Sequence, residues 1–364
     1  MIYYIKPGIK CKNVHSPADF KWEGIFVSHL ITSIPVDEAC KLIDNLMKTL
    51  QTCKIMFDFQ SEGYQREFIH YMNNVVKKLV TEYTGYNKDM FYYYTGAIPI
   101  NTNIDFYNSL MFDFLPENIL LENVCSREYF NTRINRQVEV NTKLKKFVSM
   151  NGNPRTNRRI ALSYLIKNDL LKESFYSFDS NKMREYSQHP LLEKYDAILA
   201  DLFKTKVEPM ILSKQHGDNN DRIKQEDIYY FDNSYFSLVQ ETFFDNTLDW
   251  STNDIAFYEC ILISEKTYRP IYFKHPFILL GVKGSLVGLR EYGFKTFSPY
   301  FDESYDNIED PVVRIETALN EVKRLCSLSD DEWLSIQREL LPIVEYNYNL
   351  LTSDYSKTLL GKRK

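Results

Sequence analysis

Three short segments of this sequence carry residue types whose spacing could do chemistry. In SMNGNPRTNRR (149–159), Arg155, Arg158 and Arg159 gather where a turn-rich loop enters a helical stretch. Backbone N–H groups and the positive dipole end at a helix start attract phosphate, and a guanidinium grips two oxygens at once. A solvated basic turn has the same composition. In ISEKTYRPI (263–271), Ser264 reads as a helix cap, with Glu265 and Lys266 in the first turn and Arg269 one turn later. A carboxylate and a cation placed together at a helix start let one hold ribose hydroxyls while the other neutralises phosphate. The alternative is a salt-bridged surface turn, and Pro270 shortens or kinks any helix there. SYFSLVQET (234–242) is an apolar run that ends in Gln240, Glu241 and Thr242. In open α/β sheets ligands lie outside the carboxyl ends of strands, where these polar groups would sit.

Strands and helices must alternate to place these segments. KIMFDF (54–59) reads as a strand, 64–83 as an amphipathic helix, and FYYYTG (91–96) and SLMFDFL (109–115) as further strands. A polar, basic stretch (131–146) leads into a second series. It consists of strand KKFVSM (145–150), helix 158–170, strand SFYSF (174–178), helix 191–204, a polar loop at 214–227 and strand 234–244. After the ISEKTYRPI segment come strand HPFILLG (275–281), helix 285–293 and a short strand KTFSP (295–299). From Pro311 to about Leu351 the sequence is helical. Two such series predict two Rossmann-like halves.

Composition narrows the classes. The 364 residues exceed two ~150-residue units, and 44% hydrophobic with 26% charged side chains is the balance of a globular protein, which excludes disorder throughout. A net charge of −5 supplies no global field toward polyanions, so a nucleic-acid footprint would have to be local. No apolar run approaches the ~20 residues of a membrane span and no secretory signal is visible, so a cytoplasmic protein without a membrane span is expected. Six dispersed cysteines without C-x-x-C spacing argue against zinc and against a disulfide framework. The dinucleotide, P-loop, zincin and serine-hydrolase signatures are absent, as is D-x-D, so no metal is expected and a diphosphate would need protein cations.

In combination, SYFSLVQET followed by ISEKTYRPI resembles the F-x-L-x-F-E-N-S and T/S-E-K-L/T pattern of the alpha-1,3-fucosyltransferases and of related viral and bacterial glycosyltransferases of GT-B architecture. FVSM with Arg158 is similar to the strand, loop and phosphate-binding arginine that open their donor domain, and HPFILLG and DESYD (302–306) are similar to its tail. The resemblance covers about 147–310 well and the first 140 residues weakly, with Gln240-Glu241-Thr242 and Thr267-Tyr268-Arg269-Pro270 departing from the pattern. It implies an α/β fold of two Rossmann-like domains facing a cleft: an acceptor domain at 1–143, a donor domain at 144–330, and helices at 331–364 packing back toward the first domain. It further implies a metal-independent glycosyltransferase, hexosyl- or fucosyltransferase-like. A GDP- or UDP-sugar would be the donor, and a glycan or other hydroxyl compound the acceptor. Arg158 would bind the donor diphosphate, assisted by Lys266, Arg155 and Arg269. Glu241 and Glu265 would hold ribose or sugar hydroxyls beside Ser264. DFQSEGY (58–64), after the strand-like KIMFDF, resembles the strand-then-S-E segment that carries the base in the fucosyltransferases, so Glu62 would be the base, on the face that inverts the anomeric carbon; the alternative is a helix-start carboxylate favoured by the dipole. Two alternatives are a viral enzyme, resident in host cytoplasm, that glycosylates modified DNA bases, and a catalytically silent nucleotide-sugar-binding module.

Overall fold

The computed structural model describes residues 2–6, 9–14, 24–28, 34–50, 55–59, 66–87, 90–95, 97–99, 118–121, 134, 136–152, 154–178, 195, 199, 227–242, 244–245 and 260–352. Glu62, the strand expected at 109–115, most of the helix at 191–204 and nearly all of the loop at 214–227 fall outside these residues. The chain divides into two compact units, residues 1–124 with 254–260 and residues 125–253 with 261–364.

The first unit contains β1 (Ile2–Lys6), β2 (Ile9–Val14), β3 (Gly24–Ser28), α1 (Val36–Leu50), β4 (Ile55–Phe59), α2 (Arg66–Glu82), β5 (Phe91–Thr95), β6 (Ala97–Pro99) and β7 (Asn118–Leu121). Its main sheet runs β2-β1-β3-β4-β5-β7 and is parallel except for the β1–β2 hairpin. Helices α1 and α2 link successive neighbouring strands in one direction, so right-handed crossovers place both on the same face. Ala39, Cys40, Ile43 and Met47 recur at helical spacing along α1, as do Met72, Val75, Val76 and Leu79 along α2. These stripes close with Val27, Ile55, Phe57 and Phe91 into one core. The two helices touch where Cys40 Sγ lies 3.7 Å from the Val75 carbonyl. Each large apolar side chain so buried stabilises the unit by about 1.5–3 kcal/mol.

The second unit contains β8 (Lys145–Met150), α3 (Thr156–Lys167), β9 (Ser174–Ser177), α4 (Ile228–Asp232), β10 (Ser234–Gln240), residues 261–262 of β11 (Cys260–Leu262), α5 (Glu265–Tyr272), β12 (Phe277–Leu280), α6 (Ser285–Glu291), α7 (Pro311–Cys326) and α8 (Asp330–Thr352). Its four-stranded sheet runs β12-β10-β8-β9 and is parallel throughout. All seven residues of β10 are buried, which is why its sequence reads as a nearly continuous apolar run rather than an alternating one. Phe236 pairs with Phe147 across the β10–β8 ladder, their rings stacking at 5.5 Å. Trp333 of α8 is wholly buried against Tyr235 at 4.7 Å and donates its indole N–H to Leu325 O at 3.0 Å. Helix α8 therefore belongs to the core of the second unit. Near its end, Tyr348 bonds both the N–H and the carbonyl of Ile134, at 2.9 and 3.1 Å.

The strand expected at KTFSP does not form. Asn347 holds both the N–H and the carbonyl of Lys295 at 2.8 Å, and Glu303 accepts from Phe297 N–H at 2.6 Å. Side chains satisfy this backbone, leaving it no ladder to join. No helix among the described residues is long and apolar enough to cross a membrane.

Candidate functional site

The site begins with strand order. From β8 the chain passes through α3 to β9 on one side, and β10 then returns to the other side of β8. The winding direction reverses there, so a crevice opens outside the carboxyl ends of β8 and β10, at Met150 and Gln240. The SMNGNPRTNRR loop, the Gln240–Glu241 segment and the ISEKTYRPI segment converge at this point.

Helix α3 fastens to β10 through its first turn. Asn157 Nδ2 donates to Glu241 O and Arg158 Nη2 to Gln240 O, both at 3.1 Å. Arg158 is only 3% exposed, so it lies under the end of the strand rather than on the surface. Arg159 is also buried, and Arg155 is half-buried at the cap position of the helix. At the end of β8, Ser149 Oγ accepts from Asn151 Nδ2 at 2.9 Å and from Gln240 Nε2 at 3.4 Å. Ser177 of β9 pairs with both backbone groups of Asn151, at 2.8 and 2.9 Å. In this shell the amide oxygens of Asn151, Asn157 and Gln240 are buried without a hydrogen-bond partner among the described residues.

Helix α5 fastens to the same strand end through Glu241, which has no exposed surface. Its Oε1 accepts from Ser264 N–H at 2.9 Å and Thr267 Oγ1 at 2.6 Å, and its Oε2 accepts from Ser264 Oγ at 2.5 Å. Glu241, expected to hold ribose or sugar hydroxyls, thus has both oxygens engaged by the chain's own donors. Ser264 caps α5 as expected, accepting from Lys266 N–H at 3.2 Å. Lys266 Nζ sits 3.3 Å from Ser264 Oγ and 2.8 Å from Glu265 Oε1. Burial pushes the Glu265 carboxyl up, but the adjacent Lys266 ammonium, the helix-start N–H and Arg269 outweigh it and hold the pKa down to about 2. Glu265 is therefore ionised at neutral pH. Arg269 reaches the end of β8, with Nη1 3.5 Å from Met150 Sδ. Of the predicted donor-binding residues, Arg155, Arg158, Glu241, Ser264, Glu265, Lys266 and Arg269 all belong to these two helices and the strand ends they meet.

Three helices of this unit follow strands of the series, and their starts differ electrostatically. Asp306 covers the start of α6, accepting from Leu286 N–H at 3.1 Å and Val287 N–H at 3.3 Å. Ser264 covers α5. The start of α3 has no side-chain cap and no acid in its first turn, so its positive end keeps no local counter-charge from a cap. The DESYD segment is structural here. Besides the Asp306 cap, Glu303 accepts from Thr296 Oγ1 at 2.8 Å and pairs with Arg290 at 3.1 Å.

Sequence reasoning missed Ser149, Asn151, Asn157 and Thr267, although polar residues at the end of an apolar strand and in a helix first turn were a usable signal. In the basic stretch 131–146, Arg136 is not a surface cation. It is 7% exposed, paired with Asp232 at 2.7 Å, and bonded to the Phe273 carbonyl. No group of three or more His, Cys, Asp or Glu side chains among the described residues is placed to hold a metal ion.

No family model matches the sequence, and no curated protein does. Among solved structures, the chain aligns over 93% of its length with 81% of a DNA-modifying beta-glucosyltransferase studied with and without its substrate uridine diphosphoglucose, at 12% identity and a TM-score of 0.42. It aligns with the phage T4 beta-glucosyltransferase at 9% identity, a TM-score of 0.42 and coverage of 94% and 82%. For that enzyme in complex with its UDP-glucose substrate, the identity is 10%, the TM-score 0.40 and the coverage 93% and 82%. Likeness at this level fixes neither family nor activity for the chain.

Proposed function

We propose that this protein is a GT-B glycosyltransferase that moves a sugar from a nucleotide-diphosphate donor to an acceptor hydroxyl, with the donor seated at the carboxyl ends of β8 and β10. The observation that carries the reading is the convergence, at the reversal point of a parallel sheet, of an uncapped helix start, the cations Arg155, Arg158, Lys266 and Arg269, and an ionised Glu265. Phosphate oxygens need the cations and the helix N–H groups, whereas ribose hydroxyls need a carboxylate. A nucleoside diphosphate presents both.

As the bond from the anomeric carbon to the diphosphate breaks, negative charge grows on the leaving group. Lys266, half-exposed, and the neighbouring Arg155 and Arg269 neutralise it by contact. Arg158 is covered, so it acts through its field, which a low-dielectric surrounding weakens less than water would. Glu265 receives the ribose hydroxyls, and Glu62 takes the proton of the attacking hydroxyl.

Calorimetric titration with UDP, GDP, CMP and dTDP, then with the corresponding nucleotide sugars, tests the proposal. Binding of at least one nucleoside diphosphate is expected, weakened at least tenfold by Lys266→Met, about 1.4 kcal/mol. Failure of the whole panel to bind at millimolar concentration overturns it. Glu62→Gln should leave donor binding intact and abolish transfer. Unchanged turnover removes Glu62 from the role of base.

A further inference from the structure

Glu241, which has no exposed surface, is linked to Lys266 through the hydroxyl of Ser264. Glu241 Oε2 accepts the hydroxyl proton of Ser264 at 2.5 Å, which turns the lone pairs of Ser264 Oγ away from Glu241. Those lone pairs face Lys266, whose N–H and Nζ lie 3.2 and 3.3 Å from the same oxygen. The other carboxylate oxygen holds Ser264 N–H and Thr267 Oγ1, so the whole first turn of α5 is pinned to the end of β10 at three points. Glu241 has no exposed surface, so protein encloses the carboxylate that holds these three donors. A buried carboxylate accepting three hydrogen bonds is a rigid reference point, and charge-assisted bonds of this kind are stronger than neutral ones.

We infer that Glu241 is a positioning residue, which fixes the Ser264 hydroxyl and through it aims the Lys266 ammonium at the phosphate groups of the ligand. This rests on the nucleotide-diphosphate reading above and assigns Glu241 a role other than contact with ribose or sugar. Glutamine at this position keeps the shape. Its amide N–H₂, however, must donate toward Ser264 Oγ, so the hydroxyl proton turns elsewhere and a lone pair that faced Lys266 is lost.

The test is a double-mutant cycle read by calorimetry with the nucleoside diphosphate that the wild type binds. Glu241→Gln is expected to weaken binding about tenfold in the wild-type background and to change it less than twofold when Lys266 is already methionine. A purely structural Glu241 would weaken binding by the same factor in both backgrounds, which overturns the inference. Ser264→Ala serves as the second variant should Glu241→Gln fail to fold. It removes the hydroxyl link but leaves the Ser264 N–H bond, and it should show the same dependence on Lys266. If Lys266→Met weakens binding while both Glu241→Gln and Ser264→Ala leave it unchanged, the site stands and the positioning role falls. If no nucleoside diphosphate binds the wild type, both fall.

Discussion

His275 offers a prediction whose size follows from its surroundings. The ring is 4% exposed, bridges Ser237 Oγ at 2.8 Å and the Ser234 carbonyl at 2.9 Å, and meets the Phe231 ring edge-on at 5.3 Å. A carbonyl only accepts, so Nε2 carries the proton and Nδ1 accepts from the Ser237 hydroxyl. Burial dominates, with Arg136 and Lys143 adding like charge, and the folded pKa drops to about 3 from the ordinary 6.5. Because folding lowers this pKa, the unfolded chain takes up the proton first. The stability contributed by the neutral ring is whole above about pH 6.5 and fades as pH falls toward about 3. Each pH unit inside that window removes about 1.4 kcal/mol, so acidification from about pH 7.5 to about pH 5 should cost about 2 kcal/mol through this one residue. Paired carboxylates also respond to acid, so the quantity to read is the difference between wild type and His275→Gln. Glutamine keeps a donor for Ser234 O but cannot titrate. Hydrogen-exchange protection of the β10 amides, measured at several pH values and corrected for intrinsic rates, supplies the local stability. The variant should begin less stable by about 1–3 kcal/mol, and the gap should close by about 2 kcal/mol over that range. Parallel pH profiles for the two proteins would refute the claim that burial keeps the ring neutral.

Three further outcomes are expected. Arg158→Ala should lower transfer turnover about 100-fold or more and also cost about 1–3 kcal/mol of stability in denaturant unfolding, because the Gln240 carbonyl loses its donor. Unchanged turnover would remove Arg158 from the donor site. Gly281→Ala should destabilise by about 1–3 kcal/mol in thermal melts, since its Cβ would stand 2.4 Å from Ser285 Oγ, and adding Ser285→Ala should recover part of the loss. Trp333→Ala should cost about 3–5 kcal/mol by chemical denaturation and Trp333→Phe much less, the aromatic packing on Tyr235 being kept while the bond to Leu325 O is lost.

The elements of the second unit were legible where burial and chain direction agree. An apolar run that is buried throughout reads as a parallel strand in sequence and structure alike, central in the sheet for β10 and at its edge for β12. The Asp310-Pro311 start of α7 announces itself because an acid cap and a first-turn proline are local devices, and Asp310 does accept from Val312 and Val313 N–H. Helix α1 carries as clear an apolar period as α2. Illegible features depend on distant partners. Whether Arg158 projects into solvent or lies beneath a strand is decided by Gln240, 82 residues away. The partners of Glu241 are 23 and 26 residues downstream. KTFSP has the composition of a strand, but its backbone is claimed by Asn347 and Glu303, which local pattern does not report.

The bonds between Tyr348 and Ile134 close a span of 214 residues, so the last helix clasps a segment that lies far upstream of it in the sequence. An expressed fragment halted at residue 330 would lose that clasp together with Trp333, the largest fully buried side chain among the described residues.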